Sequence, residues 1–215
     1  MNRISTFVPA SARFPVHCLI ALLLGLLAGC SQTPQQEPLV IRIDPALAAQ
    51  RALEIRQQVA AEVAPGLELS LWAVDSLSPD PIALTMDALG RAYITRTLRQ
   101  KHSEFDIRGH RDWMTESVSF KTVEDRRDFL RKTFAPERSA ENTWLPDLNG
   151  DSLHDWRDLA VEKEQVWRIE DASGDGIADQ ALLVLEDLHS QITDGAGALA
   201  LHDGEMFLGV GPGLW

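Results

Sequence analysis

The stretch VWRIEDASGDGIADQALLVLEDL, residues 166–188, decides how the chain reads. VWRIE (166–170) and ALLVLEDL (181–188) have the Val, Ile, Leu and Trp content of buried strands. Between them, DASGDGIAD (171–179) sets oxygen-bearing side chains at every second position except Ile177 and adds two glycines. Such a segment continues neither strand, so it reads as a turn between them. Earlier in the chain DLNGDSLHD (147–155) repeats the spacing, and the question is whether either loop wraps a cation.

Working outward, the two-residue period recurs. LELSLWAV (67–74) alternates Leu67, Leu69, Leu71 and Ala73 against Glu68, Ser70 and Trp72 and predicts a strand. IALTMD (82–87) and RAYITRT (91–97), broken by Ala88-Leu89-Gly90, predict a hairpin. A second hairpin is predicted from AGALAL (196–201) and MFLGV (206–210), with Asp203-Gly204 at a tip suited to a type I′ turn. Two segments have helical character instead. Asp44-Pro45 is an N-cap followed by proline at the first helical position, and the helix former-rich run that follows offers Leu47, Leu53, Val59 and Val63 for burial before Pro65-Gly66. Within a charged insert at 98–140, Thr122 and Asp125 form a capping box ahead of VEDRRDFLRKTF, with Val123, Phe129, Leu130 and Phe134 as its apolar stripe. The fold class is therefore mainly β with a helical insert, and five or six short strands are too few to close a propeller or sandwich.

The formal net charge of −12 argues against nucleic acid as a partner, because phosphate binding needs a basic face. It suits divalent cations, and equally a plain acidic surface that aids solubility. Arg3 and Arg13 precede the apolar run 18–29, which is short for a membrane span and reads as a leader. Its end, Leu27-Ala28-Gly29-Cys30, resembles the bacterial lipobox. That implies cleavage before Cys30, a lipid on its sulfur and a membrane as partner at the cell envelope, at the outer membrane or periplasmic face. An ordinary signal peptide or a transmembrane anchor is the alternative. Cleavage also removes Cys18, so no disulfide is available within the mature chain. The organisation is then a leader over 1–29, a tether and helix over 30–64, and a folded domain over 65–215.

The candidate sites follow from residue type and spacing. An EF-hand-type calcium loop needs oxygens at positions 1, 3, 5, 9 and 12, a carbonyl at 7 and glycine at 6. Over 147–158 the chain supplies Asp147, Asn149, Asp151, the Leu153 carbonyl, Asp155 and Asp158, but Ser152 stands at the glycine position, where strain is expected. The second loop has Gly176 there, with Asp171, Ser173, Asp175, the Ile177 carbonyl and Asp179. Its twelfth position is Leu182, which cannot ligate. Calcium is expected more strongly in the first loop, and a metal-free turn is an equal reading of the second. The densest polar cluster follows a strand: Arg96, Arg99, His102, Glu104, Asp106, Arg108, His110 and Trp113. It suits acid–base chemistry or the clamping of an anionic or hydroxylated ligand, or else an ion-pair network that fixes the insert to the sheet. His189, near Thr193 and Asp194, is a base candidate in a loop before glycines. No phosphate loop, nucleophile elbow or HExxH appears, and C-x-x-C-H is absent, so this stretch carries no covalent haem.

Taken together, GLELSLWAVDSLSPDPIALTMDALGRAYITRT (66–97), the stretch 166–188 and HDGEMFLGVGPGLW (202–215) resemble blades of the sorbosone/glucose-dehydrogenase-like β-propellers. Relatives of that kind are large bacterial exported or lipid-anchored proteins, often called membrane-bound dehydrogenases, with helical repeats and a C-terminal cytochrome c-like module. The resemblance spans about 65–215 and implies a six-bladed propeller of which this chain holds the first blades. It also implies calcium, pyrroloquinoline quinone, a carbohydrate or related alcohol as substrate, and electron transfer to a haem c or cytochrome c partner elsewhere. His189 falls roughly where the sugar dehydrogenases carry a base. The expectation is thus the front part of a dehydrogenase-like protein, not competent alone; the alternative is a non-catalytic, calcium-dependent scaffold that binds glycans or proteins.

Overall fold

The computed structural model describes residues 38–77 and 79–215. The expected leader, the expected lipidation site Cys30 and the start of the expected tether lie outside the described residues. Two antiparallel sheets organise the rest, so the fold is mainly β with a helical insert; no closed barrel or propeller is present among the described residues. The first sheet has five strands in the spatial order β1 (Val40–Arg42), β5 (Gln180–Asp187), β4 (Glu164–Glu170), β3 (Ala92–Arg96) and β2 (Leu84–Met86). The second has three in chain order: β6 (Ala196–His202), β7 (Glu205–Val210) and β8 (Gly213–Leu214).

The alternation in 166–170 explains why β4 is central. Its register sets Trp167 between Ile94 and Leu183, and Ile169 between Ala92 and Ala181. These residues share one face, which Leu77 and Trp72 cover. Val166, one residue out of phase, faces the other way and packs with Ala196, Leu208 and Val210 of the second sheet. A strand buried on both faces tends to be apolar at successive positions, and 166–169 is so except at Arg168, which is half-buried and pairs with Glu170 at 3.2 Å. A buried hydrogen bond joins the sheets, from the Thr95 hydroxyl to the Ala196 carbonyl at 2.7 Å.

Both predicted hairpins form. In the second, Asp203 and Gly204 take φ of 49° and 82°, the positive values a type I′ turn requires. The segment 67–74 does not form a strand. It runs extended, and its ladder-like bond is the Ala178 N–H donated to the Trp72 carbonyl at 2.7 Å. Trp72 and Ala73 lie against the first sheet's core, whereas Leu67 is 71% exposed. An alternating sequence makes a strand only where another strand stands ready to pair, and Leu67–Leu71 has none among the described residues.

The first helix, α1 (Pro45–Gln58), starts as expected, with Asp44 accepting from the Leu47 N–H, and ends sooner than Pro65-Gly66 would require. Its buried face is not the expected one: Ala48 and Ala52 are buried while Leu47, Leu53, Val59 and Val63 are exposed. Small side chains let the helix approach closely, and Arg56 ties its end to the extended segment by donating to the Leu69 carbonyl. Among the described residues no helix is long and apolar enough to cross a membrane.

Between β3 and β4 the insert builds its own core. The short α2 (Met114–Ser117) leads to α3 (Val123–Thr133), whose Thr122/Asp125 capping box forms in both directions. Phe129, Leu130 and Phe134 are buried with Trp113, Leu145, Leu159 and Ile192, and Val123 is partly buried beside them. The insert therefore extends past residue 140 and takes in the first Asp loop.

Candidate functional site

The two Asp loops share one backbone course over their first seven residues. Asp147 accepts N–H bonds from Gly150, Asp151 and Ser152 at 2.8, 3.2 and 2.9 Å. Asp171 does the same for Gly174, Asp175 and Gly176 at 2.6, 3.2 and 2.7 Å, and these bonds, led by that from Gly176, hold its carboxyl below the ordinary range. The fourth and sixth residues of each loop have positive φ: 75° at Gly150 and 68° at Ser152, 80° at Gly174 and 95° at Gly176. Ser152 thus carries the strain expected of a non-glycine there. In both loops a buried aspartate closes the turn by accepting from the second and third N–H groups. Asp158 does so for Leu148 and Asn149, and Asp179 for Ala172 and Ser173.

The loops differ in what faces their remaining oxygens. In the first, the Arg157 guanidinium donates to both oxygens of Asp155 and lies 3.0 Å from Asp151. Asp155 is fully buried, and this partner holds its carboxyl below the ordinary value. An arginine therefore stands across the fifth and ninth ligand positions expected of a metal loop. Asp171 and Asp175 have no basic partner among the described residues. The Asn149 carboxamide accepts from the Asp151 N–H, the Ser173 hydroxyl donates to Asp171, and Asp175 accepts from the Ile177 N–H. Leu153 donates its N–H to Asp151. Among the described residues, no three His, Cys, Asp or Glu side chains are gathered around one point where they could hold an ion together.

The charged cluster after β3 divides into separate environments. Arg99 is buried, 3.3 Å from Glu164, and donates to the carbonyls of Leu159 and Glu162, each at 2.9 Å. Glu164 in turn accepts from the Thr97 hydroxyl at 2.8 Å and the Ala196 N–H at 2.7 Å. Burial pushes the Glu164 carboxyl up and the Arg99 guanidinium down, each against the pull of the other. This knot fastens the insert to β4 and to the start of β6, which is the ion-pair reading of the cluster. His102 pairs with Glu162 at 3.0 Å, and His110 stacks on the buried Trp113 ring at 3.8 Å, so the two histidines do not share a centre. Asp106 holds Arg108 at 2.7 Å. Arg96, Glu104 and Arg108 line one polar cleft of about 540 Å³ together with Asp80, Gln100 and Gly195.

His189 lies in a different and largely apolar cleft of about 460 Å³, with Leu188, Val210, Pro212 and Trp215. Its Nδ1 is 2.5 Å from the Ala160 carbonyl, which fixes that nitrogen as the N–H donor and leaves Nε2 as the basic one. Nε2 is 3.8 Å from Asp187. Asp194 does not accompany His189; it takes a two-pronged bond from Arg126 of α3 at 2.8 and 2.5 Å.

Sequence reasoning missed Glu164, Arg157 and Asp80. Glu164 opens a strand, where a charged residue ordinarily faces water, and only the tertiary fold buries it. The signal for Arg157 was available, since it sits between two of the expected ligands. No family model matches the chain, and no curated protein or solved structure matches it either.

Proposed function

We propose that residues 65–215 form the opening blades of a β-propeller of the sugar-dehydrogenase-like kind, carried at the cell envelope by a lipid on Cys30. The observation that supports this is strand order. β2, β3, β4 and β5 make a four-stranded up-and-down meander, the topology of one blade, to whose β5 edge β1 adds a fifth strand, and the chain then begins a second sheet whose first strand, β6, packs near β2 and β3 rather than extending the first. In this reading the second Asp loop is the tip of the β4–β5 hairpin. Asp171, Asp175 and the Ile177 carbonyl would hold a calcium ion that braces it. Oxidation of a carbohydrate or related alcohol is the activity proposed for the full protein. His189, its proton fixed on Nδ1, is the group to accept the hydroxyl proton at Nε2. A quinone and a haem or cytochrome c partner are implied by the resemblance alone. Neither calcium binding by the second loop nor proton acceptance at His189 depends on them.

Reading the coding DNA past Trp215 tests the proposal. Further four-stranded repeats in the same frame sustain it, and an immediate stop removes it. In the extended product, sugar-dependent reduction of an acceptor dye should be lost in His189→Ala. A second reading, a calcium-dependent scaffold that binds glycans or proteins through the 98–144 loop and its aromatics, draws support from Trp144, which stays exposed while Trp113 is buried in packing. Sugar binding without dye reduction would favour it.

A further inference from the structure

We infer that the polar cleft at the end of β3 binds a polyhydroxylated carboxylate, a sugar acid in chemical class. The cleft holds about 540 Å³, room for one or two sugar-sized units. Its walls come from four separate stretches: Asp80 before β2, Arg96 at the end of β3, Gln100, Glu104 and Arg108 of the insert, and Gly195 before β6. Arg108 is already neutralised by Asp106 at 2.7 Å and also lies 3.8 Å from Glu104. Arg96 is half-buried, and its side chain has no ion pair or hydrogen bond with any of the described residues. In a chain of net charge −12, a guanidinium held in a cleft wall without a carboxylate partner is a free two-pronged site for one.

The other side chains set what that carboxylate must carry. Asp80 and Glu104 are acceptors as carboxylates, and Gln100 both donates and accepts, so they suit several hydroxyl groups, while Ile82 and Leu98 in the same lining suit the carbon chain that carries them. The same two carboxylates disfavour a doubly charged anion such as phosphate, because only one uncommitted positive charge is present to offset it. A single carboxylate on a hydroxylated chain meets both conditions. The proposal does not depend on the propeller reading, for it concerns binding alone and uses residues already gathered in this chain.

Calorimetric titration of the full chain with gluconate, glucose and inorganic phosphate tests it. Gluconate should bind about tenfold or more tightly than glucose, the worth of one charge-assisted contact, and phosphate more weakly than gluconate. Arg96→Gln should erase the gluconate preference while leaving the melting temperature nearly unchanged, since the guanidinium makes no hydrogen bond or ion pair with the described residues and the backbone pairing of β3 is kept. Equal affinity for gluconate and glucose, phosphate binding as tight as gluconate, or a gluconate preference that survives Arg96→Gln would each overturn the proposal. So would no gluconate binding at millimolar concentration. The ligand comparison needs no variant, so a poorly folded Arg96→Gln leaves it decisive.

Discussion

The two Asp loops share a backbone course over their first seven residues and differ in the charges that the fold brings to them. From the sequence the first has the fuller ligand set, because Asp155 and Asp158 complete it where Leu182 cannot. In the fold those two residues are the ones already committed. Asp158 is buried and accepts three N–H bonds, from Leu148, Asn149 and Asp155, while Asp155 is neutralised by Arg157. The second loop is poorer in carboxylates and freer of internal cations. Counting ligands ranks acidity; which loop needs an outside charge depends on what the fold has already brought to it.

The largest effect expected from breaking this symmetry is at the closing aspartates. Asp158→Ala leaves three N–H groups without their acceptor in a buried site and should cost about 3 kcal/mol in urea denaturation; Asp179→Ala, with two, about 2 kcal/mol. Equal losses would mean the loops are not closed in the way described. Arg157→Gln should come next. It strips Asp151 and Asp155 of their partner, lowers the melting temperature, and makes part of that loss recoverable with millimolar Ca²⁺. The unaltered chain should take up calcium through the second loop, so Asp175→Ala should weaken uptake more than Asp151→Ala does. The reverse ranking in a calorimetric titration would restore the order that ligand counting gives.

Acid should act on both loops through Asp155 and Asp171. Each titrates below the ordinary carboxylate value of 3.8, Asp155 because of the Arg157 guanidinium and Asp171 because of backbone N–H groups, that of Gly176 first. A carboxyl depressed in the folded state stabilises it above the unfolded pKa, and this is lost as pH falls through the folded value. The melting temperature should therefore hold down to about pH 4 and drop below it. Arg157→Gln should start that drop at higher pH by removing the cation that keeps Asp155 ionised. An unchanged acid profile in this variant would show that Asp155 does not draw on Arg157.

How much of this was legible depends on how local the cause was. The two hairpins, the Thr122/Asp125 capping box and the buried stripe of α3 are written in neighbouring residues, and they form as read. The alternation at 67–74 was equally plain, yet pairing needs a second strand that no local pattern supplies. Helix α1 buries Ala48 and Ala52 instead of its leucines because the approach of its neighbours, not side-chain size, selects the face. At the sites, the sequence gathered eight residues after β3 into one cluster. The fold distributes them: Arg99 into a knot with Glu164, Trp113 into the insert's core, and Arg96, Glu104 and Arg108 to a shared cleft. Glu164 was invisible because its partners lie 67 and 32 residues away, at Thr97 and Ala196.

The smallest expected effect is the one that isolates backbone from charge. Ser152 and Gly176 occupy equivalent positions at φ of 68° and 95°, and nothing lies within 4 Å of where a Cβ on Gly176 would sit. Ser152→Gly should relieve strain and stabilise the chain by about 0.5–1 kcal/mol, and Gly176→Ala should cost about 1 kcal/mol through conformation alone. Because neither substitution alters a charge, neither should change how the loops rank in calcium uptake. If Ser152→Gly instead raised calcium affinity in the first loop above that of the second, turn geometry would be the limiting factor, and the arginine standing across Asp151 and Asp155 would not be what separates the two loops.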